Sequence, residues 1–181
     1  MYKSELNFLK TKGIEFEKGL NLHELKQIEN FFQIKFPGSF REFLMNALPI
    51  SKGFYNWRDM RDDNVKFINR IINKPFSDVY CMAKEVYWCD DWGEEPEDEE
   101  DISKEVRKRL KEAPKLIPIY AHRYMPMIID ENPPIISIHD LDIVYYGENL
   151  EDYLYVEFGN KTQNEIGFEN ITHIPFWSDI M

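Results

Sequence analysis

The chain is predicted to be a single α+β domain, and three observations carry that expectation. Helical periodicity fills the first third, short apolar or aromatic runs separated by turn residues fill the last third, and no strict βαβ alternation joins them. The length of 181 residues suits one domain spanning residues 1–181.

Tyr2, Leu6 and Leu9 lie on one face of a short helix that Gly13 stops. Asn21 followed by Glu24 has the spacing of a capping box. Behind it Leu22, Leu25, Ile28 and Phe32 form a stripe running to about Phe36. Pro37 suits the first turn of the next helix, where a missing N–H costs nothing. Phe40, Phe43, Leu44, Ala47 and Leu48 then make a core-facing stripe ended by Pro49.

Phe54-Tyr55-Asn56-Trp57 reads as a short strand, and Val65, Ile68 and Ile72 as a helix that must stop before Pro75. Ile102, Val106 and Leu110 mark a helix whose acidic entry and basic exit complement its dipole. Leu116–Tyr120, Met125–Ile129, Ile135–Ile138 and Ile143–Tyr146 are the strands, divided at Arg123, at Asp130–Pro134 and at Asp140–Asp142. Gly147 ends the last of them. Asn149 with Asp152 caps a closing helix bearing Leu150, Tyr153, Leu154 and Phe158. The terminal Ile174-Pro175-Phe176-Trp177 is too apolar to be left in water and is expected to dock on the domain.

Composition narrows the function classes. A hydrophobic fraction of 43% with 15% aromatics excludes a disordered chain. The net charge of −11 argues against nucleic acid as a partner. No apolar run approaches the ~20 residues of a membrane span, and the first residues hold none fit for a signal peptide. Two cysteines exclude a disulfide framework, which points to a cytoplasmic protein. From Asp90 to Asp101, nine of twelve residues are acidic and none is basic, so this acidic loop holds most of the net charge. It reads either as a solvated surface loop or as a steering surface for a basic partner.

Catalytic signatures are missing from the chain. It contains no G-x-G-x-x-G, no G-x-x-x-x-G-K and no G-x-S-x-G, and Cys81 with Cys89 lacks the spacing of a zinc knuckle. Cys81 reads as a small buried hydrophobe. His139 with Asp140 and Asp142 brings at most two side chains to one strand face, so neither a metal nor a cofactor is expected.

The most informative stretch is Trp88-Cys89-Asp90-Asp91-Trp92-Gly93-Glu94-Glu95-Pro96, followed after a helix by Leu116-Ile117-Pro118-Ile119-Tyr120-Ala121-His122-Arg123-Tyr124-Met125-Pro126. Asn132-Pro133-Pro134, Ser137-Ile138, Asp142-Ile143, Tyr145-Tyr146-Gly147 and Tyr153-Leu154 come after it, and Leu25–Glu29 with Phe36-Pro37 precede it. In this order the motifs resemble the SUKH superfamily, which includes fungal Smi–Knr-type cell-wall regulators and bacterial toxin-immunity proteins. The resemblance spans residues 19–158. It implies an antiparallel sheet with helices mainly on one side, and a binding role without catalysis. It differs in having Glu94-Glu95 after Trp92-Gly93, where a basic residue is expected.

The expected function is therefore an immunity protein that neutralises a cognate toxin, basic and of nuclease type. The alternative is a regulatory interaction module of the cell-wall type. An enzyme using His122 and nearby carboxylates ranks last. Candidate contacts are Asp90, Asp91, Trp92, Glu94, Glu95, Glu97, Asp98, Glu99 and Glu100, with His122, Arg123 and Tyr124 at a strand end. Each also has a structural account. Trp88 and Trp92 can anchor a turn, His122 and Arg123 can be a satisfied pair bonded to Asp142, and of Tyr145 and Tyr146 one packs inward and one is left for a partner. A monomer or weak homodimer is expected.

Overall fold

Four consecutive strands form an antiparallel meander, β3 (Leu116–Tyr120), β4 (Arg123–Pro126), β5 (Ile135–His139) and β6 (Asp142–Gly147), in that spatial order. The computed structural model describes residues 2–181. Among them, α1 (Lys3–Thr11), α2 (Leu22–Phe32), α3 (Gly38–Asn46), α4 (Asp62–Cys81), α5 (Glu99–Leu110) and α6 (Leu150–Glu157) complete a single α+β domain. A ribbon of β1 (Phe16–Lys18) and β2 (Ala47–Pro49) stands apart from the main sheet. No described helix is long and apolar enough to cross a membrane.

Alternate residues along the meander enter two cores, as the two-residue period of a strand requires. Ile117, Ile119, Met125 and Ile135 join α1, α2, α3 and α6 on one face. Leu116, Tyr124, Ile136, Ile138 and Ile143 join α5 and the C-terminal segment on the other. Most helices thus lie on one side. The second side is closed by Ile174, Phe176, Trp177 and Ile180, all buried. The docking expected of the chain end is what the structure has. Trp177 is fully buried, and its indole N–H donates to Pro114 O at 2.9 Å.

α4 belongs to both cores, with Ile68 and Ile72 packed in the first and Val79, further along the same buried stripe, in the second. It continues through Pro75, where the sequence predicts a stop. Proline at 75 has no N–H for the carbonyl four residues back, which is Ile71. That carbonyl accepts instead from the Tyr124 hydroxyl at 3.3 Å. Burial raises the Tyr124 phenol well above its ordinary pKa, so it keeps the donor proton at any ordinary pH.

Other expectations shift for local reasons. The Asn21 capping box forms as read, with Asn21 Oδ1 accepting from Glu24 N and Glu24 Oε2 from Asn21 N. Leu22, at the first helical position, is 57% exposed, while Leu25, Ile28 and Phe32 are buried. Ala47 and Leu48 leave the helix for β2, because Pro49 disfavours an α conformation at Leu48 and β1 offers pairing. Phe54–Trp57 forms only isolated bridges, yet it delivers Tyr55 and Trp57 to the core. β4 starts at Arg123, which pairs with Tyr120 and Ser137 instead of dividing strands. Cys81, expected inside, is exposed at the end of α4.

The Tyr124 bond can be tested by a double-mutant cycle. Tyr124→Phe is expected to cost about 1–3 kcal/mol by leaving a buried carbonyl unpaired. In a Pro75→Ala background, where the new amide reaches Ile71 O, the same change is expected to cost less than half as much. Urea denaturation of the four proteins measures the difference.

Candidate interaction surface

The acidic stretch is held from below by aromatic rings. Asp90–Trp92 forms a 3₁₀ turn after Cys89, and the Trp88 indole N–H donates to Gly93 O at 2.8 Å, closing that turn. The Trp88 and Trp92 rings meet edge to face at 5.4 Å, and Trp92 stacks on Phe176 at 6.0 Å. The Arg109 guanidinium lies 4.8 Å from the centre of the Trp92 ring. The Trp92 indole donates to Asp179 Oδ2 at 3.3 Å, and Asp179 also accepts from Phe176 N. Both tryptophans are half-buried rim anchors, and the deep tryptophans are Trp57 and Trp177.

The last three residues of the acidic run, Glu99 to Asp101, are helix, not loop. Asp98 caps α5, its Oδ1 accepting from Glu100 N at 2.8 Å and from Asp101 N at 3.3 Å. Glu99, Glu100 and Asp101 occupy the first turn, where negative charge meets the positive end of the helix dipole. Glu99 pairs with Lys84 at 3.2 Å and Asp101 with Lys104 at 3.0 Å. Such exposed pairs contribute little to stability. Asp90, Asp91, Glu94, Glu95 and Glu97 are exposed and form no ion pair with any described residue.

Two large aromatic side chains that the charge pattern does not single out are also exposed nearby. Tyr87, next to Trp88 in the chain, is 62% exposed, and Tyr80 is 52% exposed with Arg107 stacked on it at 4.5 Å. Tyrosine and arginine are the residue types enriched at protein interfaces. The signal in the sequence is the Val86-Tyr87-Trp88 run, whose middle residue faces out while Val86 is buried.

The strand-end candidates divide differently. His122 is exposed in the turn between β3 and β4, with its ring 6.1 Å from that of His139 in a T-shaped contact. Partial burial, helped by the charge of Arg123 and the neighbouring His139, holds its pKa below the ordinary histidine value. Arg123 and Tyr124 are buried, which removes both from any contact surface. Arg123 donates to Glu157 Oε2 and Ser137 Oγ, each at 2.9 Å, and lies 3.8 Å from the centre of the Tyr146 ring. The expected partner Asp142 is not used: it is exposed at the first position of β6, paired across the strands with His139, and Glu157 at the end of α6 takes its place. Tyr145 and Tyr146 point to opposite faces, but each meets a core, so neither is left over for a partner. No group of three or more His, Cys, Asp or Glu among the described residues is placed to hold a metal ion.

The chain matches no family model, no curated protein and no solved structure in the three comparisons made.

Truncating Trp92 separates anchor from contact. Trp92→Ala is expected to cost about 1–3 kcal/mol, clearly less than Trp177→Ala at about 3–5 kcal/mol, because only the latter ring is fully buried. Asp98→Ala is expected to cost about 1 kcal/mol through loss of the α5 cap. Chemical-denaturation midpoints check all three.

Proposed function

We propose that this chain is a non-enzymatic immunity protein that binds a basic toxin through the acidic surface at the entry of α5, and that it does so in the cytoplasm. The observation that carries the reading is the set of unpaired carboxylates Asp90 and Asp91 in a ring-anchored turn and Glu94, Glu95 and Glu97 in the segment that follows it. A rigid base keeps the ordering cost of binding small. Clustered negative charge favours a positively charged partner and speeds encounter with it. A nuclease-type toxin has such a surface because its own substrate is a polyanion. The motif order, which resembles that of the SUKH superfamily, supports the same reading. Tyr80 and Tyr87 supply the apolar contact that charge alone lacks.

The test is co-expression with the product of the adjacent reading frame, followed by binding kinetics across a salt series. A variant with Asp91, Glu94, Glu95 and Glu97 changed to their amides leaves the Asp98 cap intact. It is expected to slow association about tenfold or more at low salt and to flatten the salt dependence, with dissociation and folding stability nearly unchanged. An association rate equal to that of the parent would return the stretch to a solvated loop.

A further inference from the structure

We infer that Glu5 and Glu151 fasten α1 to α6 through one shared proton, so that the N-terminal helix docks more tightly in acid than at neutral pH. Glu5 is only 4% exposed. A carboxylate taken that far out of water needs a cation or a full set of donors. Arg123, the other buried charge, has its carboxylate in Glu157, whereas no described lysine, arginine or histidine pairs with Glu5. Its donors are two hydroxyls, Ser4 Oγ at 2.8 Å and Tyr155 Oη at 3.2 Å, and both reach the same oxygen, Oε1. The further contact is with the carboxyl of Glu151, one turn before Tyr155 on α6, which is hydrogen-bonded to Glu5. Two carboxylates both accept and neither donates, so this bond exists only while one of them holds a proton. Glu151 is exposed, which leaves that proton free to exchange with solvent.

The groups packed around the pair supply no positive charge in place of the proton. Asp152 of α6 adds like charge to Glu151, and Lys161 is taken by Asp152 and Glu148. Tyr2 at the start of α1 lies between the pair and Glu42 of α3; burial and then the charge of Glu42 push its phenol up to about 12. Burial and then the charge of Glu5 raise the Tyr155 phenol too, so its hydroxyl donates throughout the ordinary pH range. Partial burial, then the charge of Glu5, the bond to it and the charge of Asp152 raise the Glu151 carboxyl above its usual range. The docked helix therefore keeps a proton that the undocked helix gives up. That contribution is complete below the ordinary glutamate range and is lost as pH rises through the higher value of the docked pair. Gly13, at φ +81° with open space around it, ends α1 and lets the helix loosen without pulling on β1. Tyr2, Leu6 and Leu9 stay apolar anchors at every pH, so the proton tunes the docking and does not create it. None of this depends on the acidic surface of α5 or on the function proposed for it.

Amide hydrogen exchange of the full chain, followed by NMR between about pH 4.5 and 7.5 and corrected for intrinsic rates, tests this. In the parent, protection of the Leu6 and Leu9 amides relative to amides of β5 is expected to fall about twofold or more as pH rises. Glu151→Gln, a change at an exposed side chain, keeps a hydrogen-bond donor that cannot titrate. It is expected to hold the α1 protection level across the series, near the parent's acid value. Side-chain carboxyl resonances of the parent are expected to show Glu151 titrating above the ordinary glutamate value. Level α1 protection in the parent would overturn the inference. So would a fall in Glu151→Gln as large as in the parent, or a Glu151 carboxyl that titrates at or below the ordinary value.

Discussion

A sheet that carries apolar side chains on both faces has to be covered on both, and the layout of this molecule follows from that constraint. Along β3 to β6 the alternation sends Ile117, Met125 and Ile135 one way and Leu116, Tyr124 and Ile136 the other. The first forty-odd residues and α6 supply one cover. The other is assembled from α5 and the last residues of the chain, which are brought together only by the tertiary fold. α4 links the two covers because it is long enough to reach both, and that length depends on Tyr124 answering the carbonyl that Pro75 leaves open. One strand residue thus fills the second core and keeps intact the helix that joins it to the first.

The acidic surface inherits its rigidity from this arrangement. Trp92 is stacked on Phe176, and Phe176 belongs to the hook that seals the second core. Asp179 ties the hook to the turn by accepting from the Trp92 indole, and Arg109 of α5 covers the ring from another side. The rings face inward and the carboxylates face outward, so holding the surface and displaying its charge fall to different residues. A substitution among the outward carboxylates changes the field without touching the packing, and a substitution of Trp92 or Phe176 does the reverse.

What could be read from the chain in advance was whatever has a local cause. The Asn21 and Asn149 caps, the stripes of α2 and α5, the period of the strands and the apolar C-terminal run all depend on neighbours a few residues away. What escaped has a distant cause. Pro75 reads as a stop because its compensating donor lies on β4. Arg123 reads as a strand-end residue, bonded to Asp142 or open to a partner, because Glu157 and Ser137, which bury it, lie on α6 and β5. Ala47 and Leu48 fit a helical stripe equally well, and only β1 decides against it. In the candidate site the charge was legible as composition, whereas the Asp98 cap, the stacking on Phe176 and the exposure of Tyr80 and Tyr87 required the fold.

The acidic run also splits by what its charges do for the fold. Asp98 satisfies backbone amides at the start of α5, and Glu99, Glu100 and Asp101 sit where the helix dipole favours them, each paired with Lys84 or Lys104. Those four stabilise the helix that covers the second core. Asp90, Asp91, Glu94, Glu95 and Glu97 cap nothing and pair with no described residue, and they crowd like charge beside the first group. Mutual repulsion among them opposes folding slightly, so their contribution lies outside the fold, in solubility and in the field presented to an approaching molecule. The field of such a patch extends about a Debye length, roughly 8 Å near physiological salt. Tyr80 and Tyr87, the exposed aromatic side chains nearby, are suited to closer contact than that field. On the proposed reading, the carboxylates act before contact and the tyrosines after it.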